Sequence, residues 1–171
     1  MTLPKYAVIL FEGERKIMSY YSRKSPRLPQ YDYTNENYYF VTICTHEKKC
    51  LFGLPKSQTN IGKLAQKHLN TIFSHYSCVK IDKFVVMPNH VHMIVVLEKG
   101  QVVNLTQIIG QYKSGVTREA RKIMPELTLW QRSFHDHVIR NQKAYESIWT
   151  YIENNPEKWE EDCFWRSEDS D

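Results

Sequence analysis

Two neighbouring strand-like stretches constrain the fold of this chain more than any other feature. They span Val79–Met87 and His90–Leu97, are rich in β-branched and apolar residues, and are separated only by Pro88 and Asn89. Such composition favours strands, and a Pro-Asn pair between them suits a tight connection. The sequence therefore predicts a hairpin or a closely related turn, which needs further strands beside it to form a sheet.

Further strands and helices are predicted on both sides of this hairpin. Residues 38–45 and 134–140 have strand-like composition, and apolar residues recur at helical spacing over about 60–76, from Leu105 to Val116, and again near the C-terminus. The order β-α-β-β-α-β-α is typical of an α+β sandwich, with helices packed on one side of a largely antiparallel sheet. Its commonest form is the ferredoxin-like topology.

The length of 171 residues allows one ordinary hydrophobic core. We expect a single domain over 38–160, a basic N-terminal arm over 1–37 with a short strand at 7–11, and an acidic tail over 161–171. The four cysteines contain no C-x-x-C pair, and no apolar run approaches the roughly 18 residues that span a bilayer. We therefore expect a soluble, cytoplasmic protein that has no membrane partner.

Charge is distributed unevenly along the chain. Residues 153–171 carry eight acidic and two basic side chains, which leaves 21 basic and 11 acidic residues, a net charge of +10, on residues 1–152. A body this basic favours a polyanionic partner, although an ordinary solvated surface is the alternative. The basic residues expected to contact phosphates are Arg23, Lys24, Arg27, Lys113, Arg118, Arg121, Arg132 and Arg140.

The second strand of the hairpin begins with a pair of histidines. His90 and His92 are two residues apart, so on a strand both project from one face, while Val91 points to the other. Two imidazoles placed in this way can bind one metal ion, although a pair with a purely structural role is the alternative. A second pair of the same spacing, His135 and His137, is less suggestive of a metal site.

The third predicted helix combines a capping residue, an apolar stripe and two polar residues. Asn141 can cap its start, and the expected stripe consists of Tyr145, Ile148, Trp149 and Ile152. Tyr151 and Asn155 are four residues apart, so they are neighbours at the border of that stripe, just before Pro156. They could serve a site on the sheet, or they could be an interfacial tyrosine and a C-capping asparagine.

Several of these motifs occur together in one known family. The residues are 86–95 (VMPNHVHMIV), 129–132 (LWQR), 136–140 (DHVIR) and 151–156 (YIENNP). In this order, within a similarity that runs from about Arg23 to about Trp159, they resemble REP-associated tyrosine transposases. These are insertion-sequence-200-like, single-tyrosine members of the HUH superfamily, which is named for two histidines that flank a hydrophobic residue.

The resemblance implies a role for each matched position. His90 and His92 would bind Mg²⁺ or Mn²⁺, Asn155 would be the third ligand, and Tyr151 would be the nucleophile. His137 would lie near the active site or the DNA. The implied activity is cleavage and rejoining of single-stranded or hairpin DNA through a 5′-phosphotyrosine, by a monomer or a homodimer.

Three alternatives remain open from the sequence. The chain could be a non-catalytic nucleic-acid-binding protein on the same fold, or a metal-dependent phosphodiesterase in which water attacks the phosphate. Tyr112 could replace Tyr151 as nucleophile, but it continues the apolar stripe of the second helix, so core packing is its expected role.

Overall fold

The computed structural model describes residues 31–72, 74, 76–98 and 103–165. The strand expected at 7–11 and the basic residues Arg23, Lys24 and Arg27 lie outside these described residues. Within them, no helix is long and apolar enough to cross a bilayer. The elements are β1 (Asn37–Cys44), β2 (Gly53–Leu54), β3 (Ser57–Gln58), α1 (Asn60–Ile72), β4 (Val79–Met87), β5 (His90–Leu97), α2 (Leu105–Ala120), β6 (His135–Ile139) and α3 (Gln142–Asn154).

The main sheet has the strand order β4-β5-β1-β6, and each neighbouring pair is antiparallel. β4 and β5 form the predicted hairpin around Pro88 and Asn89, and β1 enters between β5 and β6. Together with the positions of α1 and α2, this order is the ferredoxin-like arrangement expected from the sequence. The α+β prediction is confirmed.

Both faces of the sheet carry buried apolar residues, and both are covered by helices. α1 and α2 pack on one face, where Val41 and Val91 join a core that includes Ile109. α3 packs on the other face, against Phe40 and Ile94. The sequence suggested helices on one side only. The central strands β1 and β5 bury alternate residues in both directions, so each face needs a cover.

Local contacts explain how α3 is held. The Asn141 side chain accepts a hydrogen bond from the Ala144 amide at 2.8 Å, which confirms the predicted N-cap. Lys83 on β4 forms an ion pair with Glu153, and its Nζ lies 3.9 Å from the centre of the Trp149 ring. Trp149 was expected in the apolar stripe, but it is 37% exposed, because it covers the lysine at the helix surface instead of the core.

Candidate active site

The two histidines of β5 lie side by side on the face of the sheet that α3 covers. His90 is opposite Cys44 and Met87, and His92 is opposite Thr42. The centres of the two imidazole rings are 4.3 Å apart, and the residues are 0% and 1% exposed. The sheet therefore presents two buried, adjacent nitrogen donors, as the strand period required.

A neighbouring asparagine determines which nitrogen of His90 carries the proton. The Asn89 amide nitrogen donates to the carbonyls of Lys48 and Phe164, so its oxygen is left to accept a hydrogen bond from His90 Nδ1 at 2.8 Å. In a neutral imidazole the lone pair is then on Nε2. This buried Nε2 has no hydrogen-bond partner among the described residues, so it can bind a metal ion.

His92 is held between a threonine and the tyrosine of α3. Its Nδ1 lies 2.8 Å from Thr42 Oγ1, and its Nε2 lies 3.2 Å from the Tyr151 hydroxyl. A metal ion on Nε2 would require the proton to be on Nδ1, where Thr42 Oγ1 can accept it. Thr42 is thus placed to orient this imidazole, a role that no pattern in the sequence indicated.

Burial keeps both imidazoles neutral at physiological pH. It lowers the pKa of His90 well below its usual value, and the neighbouring His92 and Lys48 lower it further. It also lowers the pKa of His92 to about 4, against the opposing effect of Asp162. Neutral imidazoles have the free lone pair that a metal ion needs.

Tyr151 and Asn155 reach the same place from the last turn of α3. Tyr151 Oη donates to a carboxylate oxygen of Asp162 at 2.8 Å, and Asn155 Nδ2 donates to the same oxygen at 2.6 Å. Asn155 is the C-cap residue, yet its Oδ1 is buried without a partner among the described residues. Burial, and next the charge of Asp162, raise the pKa of the Tyr151 phenol, so this hydroxyl is protonated in the metal-free protein.

Asp162 is the site residue that the sequence analysis missed, since it was counted only as part of the acidic tail. It follows a short 3₁₀ turn, Trp159–Glu161, and its side chain is 0% exposed. The Phe164 amide donates to its other carboxylate oxygen at 2.7 Å. No spacing or periodicity distinguishes Asp162 from the acids before it, because its position depends on how the chain folds back after Pro156.

The donor atoms fit a divalent cation. His90, His92 and Asp162 each offer one donor atom, and these atoms lie within 4.8 Å of one another. Donors around a Mg²⁺-sized ion are at most about 4.2 Å apart, so a small contraction would suffice. The unpartnered His90 Nε2 and Asn155 Oδ1 are the atoms that a cation would satisfy.

Two aromatic residues of the C-terminal segment, 159–165, cover the imidazoles. The Phe164 ring centre is 4.7 Å from that of His90 and 5.8 Å from that of His92. The Trp159 ring centre is 6.0 Å from that of His90. These two rings are among the groups that separate the nearly fully buried histidines from solvent.

Four of the predicted phosphate contacts gather in a groove between α2 and the segment before β6. The groove has a volume of about 670 Å³ and is lined by Lys113, Ser114, Thr117, Arg118, Arg121, Thr128, Leu129, Trp130, Gln131 and Arg132. None of these residues is acidic. Lys113 Nζ donates to the Gln131 carbonyl at 2.6 Å, so this lysine also holds the groove together.

Arg140 and His137 lie outside this groove. Arg140 directly follows the end of β6 that pairs with Tyr38, at the opposite end of the sheet from His90. His137 is opposite Phe40, on the face that carries His92, and His135 is opposite Thr42. Neither histidine belongs to the group of potential metal ligands among the described residues.

Tyr112, the rival nucleophile, is part of the core. It is 0% exposed, and its hydroxyl donates to the Ala65 carbonyl at 3.2 Å. It packs on the face of the sheet that α1 and α2 cover, away from the histidine pair. The expected packing role is confirmed.

Comparison with known proteins gives the family. The sequence pattern described as "Transposase IS200 like" matches residues 32–155. This chain belongs to the IS200-like transposase family. The match begins just before β1 and ends at Asn155, so it includes the histidine pair and the tyrosine helix of the transposase. An uncharacterised protein of Haemophilus influenzae is 35% identical, over 82% of this chain and 91% of its own length.

Solved structures share the fold of this transposase. One is the structure of a REP-associated tyrosine transposase bound to a REP hairpin, with a TM-score of 0.62, 22% identity, and coverage of 78% of this chain and 74% of the other. Another is a putative transposase from Deinococcus radiodurans R1, with a TM-score of 0.51, 17% identity, and coverage of 75% and 95%. At these identities the likeness supports the fold alone.

Proposed function

We propose that this chain is a metal-dependent tyrosine transposase that cleaves and rejoins single-stranded or hairpin DNA. In this proposal Tyr151 is the nucleophile, and His90, His92 and Asn155 hold a divalent cation, Mg²⁺ or Mn²⁺. The observation that carries the proposal is the contact of Tyr151 Oη with His92 Nε2 at 3.2 Å. Tyr151 and His92 are fifty-nine positions apart in the sequence, yet the hydroxyl of one is in contact with the imidazole of the other.

The chemistry of a phosphodiester explains why such a site is needed. Its negative charge repels nucleophiles, and a bound divalent cation supplies polarisation of a non-bridging oxygen. Tyr151 Oη attacks the phosphorus, the bond to the 3′-oxygen breaks, and the strand ends become a 5′-phosphotyrosine and a free 3′-hydroxyl. The phenol loses one proton and the 3′-oxygen gains one. Attack by another 3′-hydroxyl reverses the step, so strands are rejoined without an external energy source.

The basic groove gives this proposal a place for the DNA backbone. Its wall at Trp130 and Gln131 is bonded to the end of β1, since the Gln131 amide donates to the Cys44 carbonyl at 3.0 Å. Cys44 is opposite His90, so the wall lies two strand spacings, roughly 10 Å, from that histidine. Further contacts are proposed for Arg23, Lys24, Arg27, His137 and Arg140.

The relative bound to a REP hairpin suggests hairpin DNA as the first substrate to test. We propose the REP-associated subgroup for this chain on that basis, together with the motifs at 86–95 and 151–156. Folded hairpins are recognised through shape and a few unpaired bases.

The decisive assay mixes end-labelled hairpin DNA and the protein with Mn²⁺ or Mg²⁺, then separates the products on a denaturing gel. The wild-type protein is expected to give a DNA-protein adduct that EDTA prevents. Tyr151→Phe is expected to abolish the adduct, while the matched variant Tyr112→Phe keeps it. Adduct formation by Tyr151→Phe would reassign the nucleophile.

The same gel separates the alternatives. Cleavage that survives in Tyr151→Phe without any adduct would indicate a phosphodiesterase that uses water. DNA binding that is insensitive to EDTA, with neither cleavage nor adduct, would indicate a binding protein without catalysis.

A further inference from the structure

The Asp162 carboxylate is buried beside the histidine pair. Its side chain is 0% exposed, and its Oδ2 lies 4.0 Å from His92 Nε2. The donor atoms of Asp162, His90 and His92 all lie within 4.8 Å of one another. A single cation could therefore bind all three side chains.

Hydrogen bonds hold the carboxylate but do not neutralise it. The Phe164 amide donates to one oxygen at 2.7 Å, while Tyr151 Oη and Asn155 Nδ2 donate to the other at 2.8 and 2.6 Å. All three donors are uncharged. Together they fix the carboxylate in one orientation, next to the imidazoles.

Two further atoms of the site are also incomplete. His90 Nε2 and Asn155 Oδ1 are buried and have no hydrogen-bond partner among the described residues. One cation would complete both atoms and would also lie within reach of the Asp162 carboxylate. We infer that Asp162 is an anionic ligand of the same divalent cation that the two histidines hold, an inference that rests on the proposed function.

This ligand changes what the C-terminal segment does. Two imidazoles and an amide are neutral, so without Asp162 the protein offers the cation no negative charge. A carboxylate oxygen supplies that charge and suits Mg²⁺ and Mn²⁺. Four protein donors leave two positions of a six-coordinate ion for phosphate oxygens or water. Since Asp162 is carried by residues 159–165, metal binding should also order that segment.

The test measures Mn²⁺ binding to the metal-stripped, full-length protein by calorimetry, without DNA. Asp162→Asn is compared with Glu161→Gln, which removes the same charge from the exposed neighbouring residue. We expect Glu161→Gln to bind like the wild type and Asp162→Asn to bind at least about ten-fold more weakly. Hydrogen exchange of the amides at 159–165 should slow when Mn²⁺ is added to the wild type, but not when it is added to Asp162→Asn.

Equal Mn²⁺ affinity in Asp162→Asn and wild type would overturn the inference. So would wild-type exchange at 159–165 that Mn²⁺ leaves unchanged, and this measurement holds even if Asp162→Asn fails to fold. His90→Gln and His92→Gln separate the two proposals. If they lose Mn²⁺ binding while Asp162→Asn keeps it, only this inference fails. If the two histidine variants and Asp162→Asn all bind Mn²⁺ like the wild type, both this inference and the proposed metal site fail.

Discussion

At the scale of single residues, the site depends on side chains that orient the histidines. Asn89 places the proton of His90 on Nδ1, and Thr42 Oγ1 lies 2.8 Å from His92 Nδ1. Each partner leaves the opposite nitrogen facing the site. Such supporting contacts set the direction and basicity of a ligand, although they never touch the metal ion.

Thr42→Val tests this orienting role. Valine has nearly the same shape but cannot bond to His92 Nδ1, so Mn²⁺ affinity should fall about ten- to hundred-fold. The unpaired buried nitrogen should also lower the free energy of unfolding by about 1–3 kcal/mol. Calorimetry and urea unfolding measure the two effects. Thr117→Val, whose hydroxyl bonds only within α2, is the control and should leave the affinity unchanged.

The lowered histidine pKa values predict how the metal-free protein responds to acid. Below about pH 6.5, His90 and His92 bind protons in the unfolded chain but not in the folded chain. The free energy of unfolding therefore falls as the pH falls toward the folded pKa of His92, about 4. The loss at pH 5 should reach up to about 2 kcal/mol for each histidine. Urea unfolding in the presence of EDTA, near pH 6.5 and at pH 5, measures this loss. In His92→Gln the free energy of unfolding should depend less on pH, because the contribution of His92 is removed. A pH profile identical to that of the wild type would contradict the lowered pKa of His92.

At the scale of elements, the position of α3 determines whether the tyrosine meets the histidines. On β4, Lys83 forms an ion pair with Glu153 of the helix and lies over the ring of Trp149. Ile148 and Ile152 of the helix pack against Phe40 and Ile94 of the sheet. The polar contacts are partly exposed and add little stability. Contacts with defined directions such as these can fix the rotation of α3 about its own axis.

The variant Lys83→Ser tests whether these contacts position α3. Lys80→Ser is the matched control on the same strand, because Lys80 pairs with Glu98 away from α3. Looser docking of α3 should slow adduct formation about ten-fold or more, because small misplacements of a nucleophile are costly. The midpoint of thermal unfolding should change little in either variant. Equal adduct rates in the two variants would show that the apolar contacts alone position Tyr151.

At the scale of the whole molecule, the sheet separates the histidine pair from the basic groove. One face carries the histidine pair beneath α3, while the groove beside α2 lies at the same end of the sheet on the other side. Residues of the groove can therefore be substituted without changing a contact of the histidine pair. Arg118 and Arg132 are exposed in this groove, whereas Lys113 is already bonded to backbone carbonyls.

Arg118→Ser and Arg132→Ser test the groove through the salt dependence of hairpin binding. Each should weaken binding and reduce the slope of log K against log salt by about 1 if the arginine neutralises one phosphate. The rate of adduct formation at saturating DNA should stay the same. Lys63→Ser, an exposed lysine on α1, is the control. An unchanged slope in both arginine variants would place the DNA elsewhere.

The sequence by itself determined the order of the main-sheet strands and the three helices, and the pairing of His90 with His92 and of Tyr151 with Asn155, but not the short β2-β3 pair. These features follow from local periods, because residues two apart share a strand face and residues four apart share a helix face. The prediction that Trp149 belongs to the buried stripe was wrong, because helical spacing shows which residues share a face but not how the helix is rotated against β4.

Only the tertiary structure decided which elements meet. The approach of α3 to β5, the second covered face of the sheet and the groove beside α2 all depend on packing between distant segments. Asp162 is the clearest case. In the sequence it is one acid among several, whereas in the fold Glu160 and Glu161 are exposed and the Asp162 side chain is 0% exposed and bonded to Tyr151. No local pattern encodes a return of the chain, so its place in the site could not be predicted.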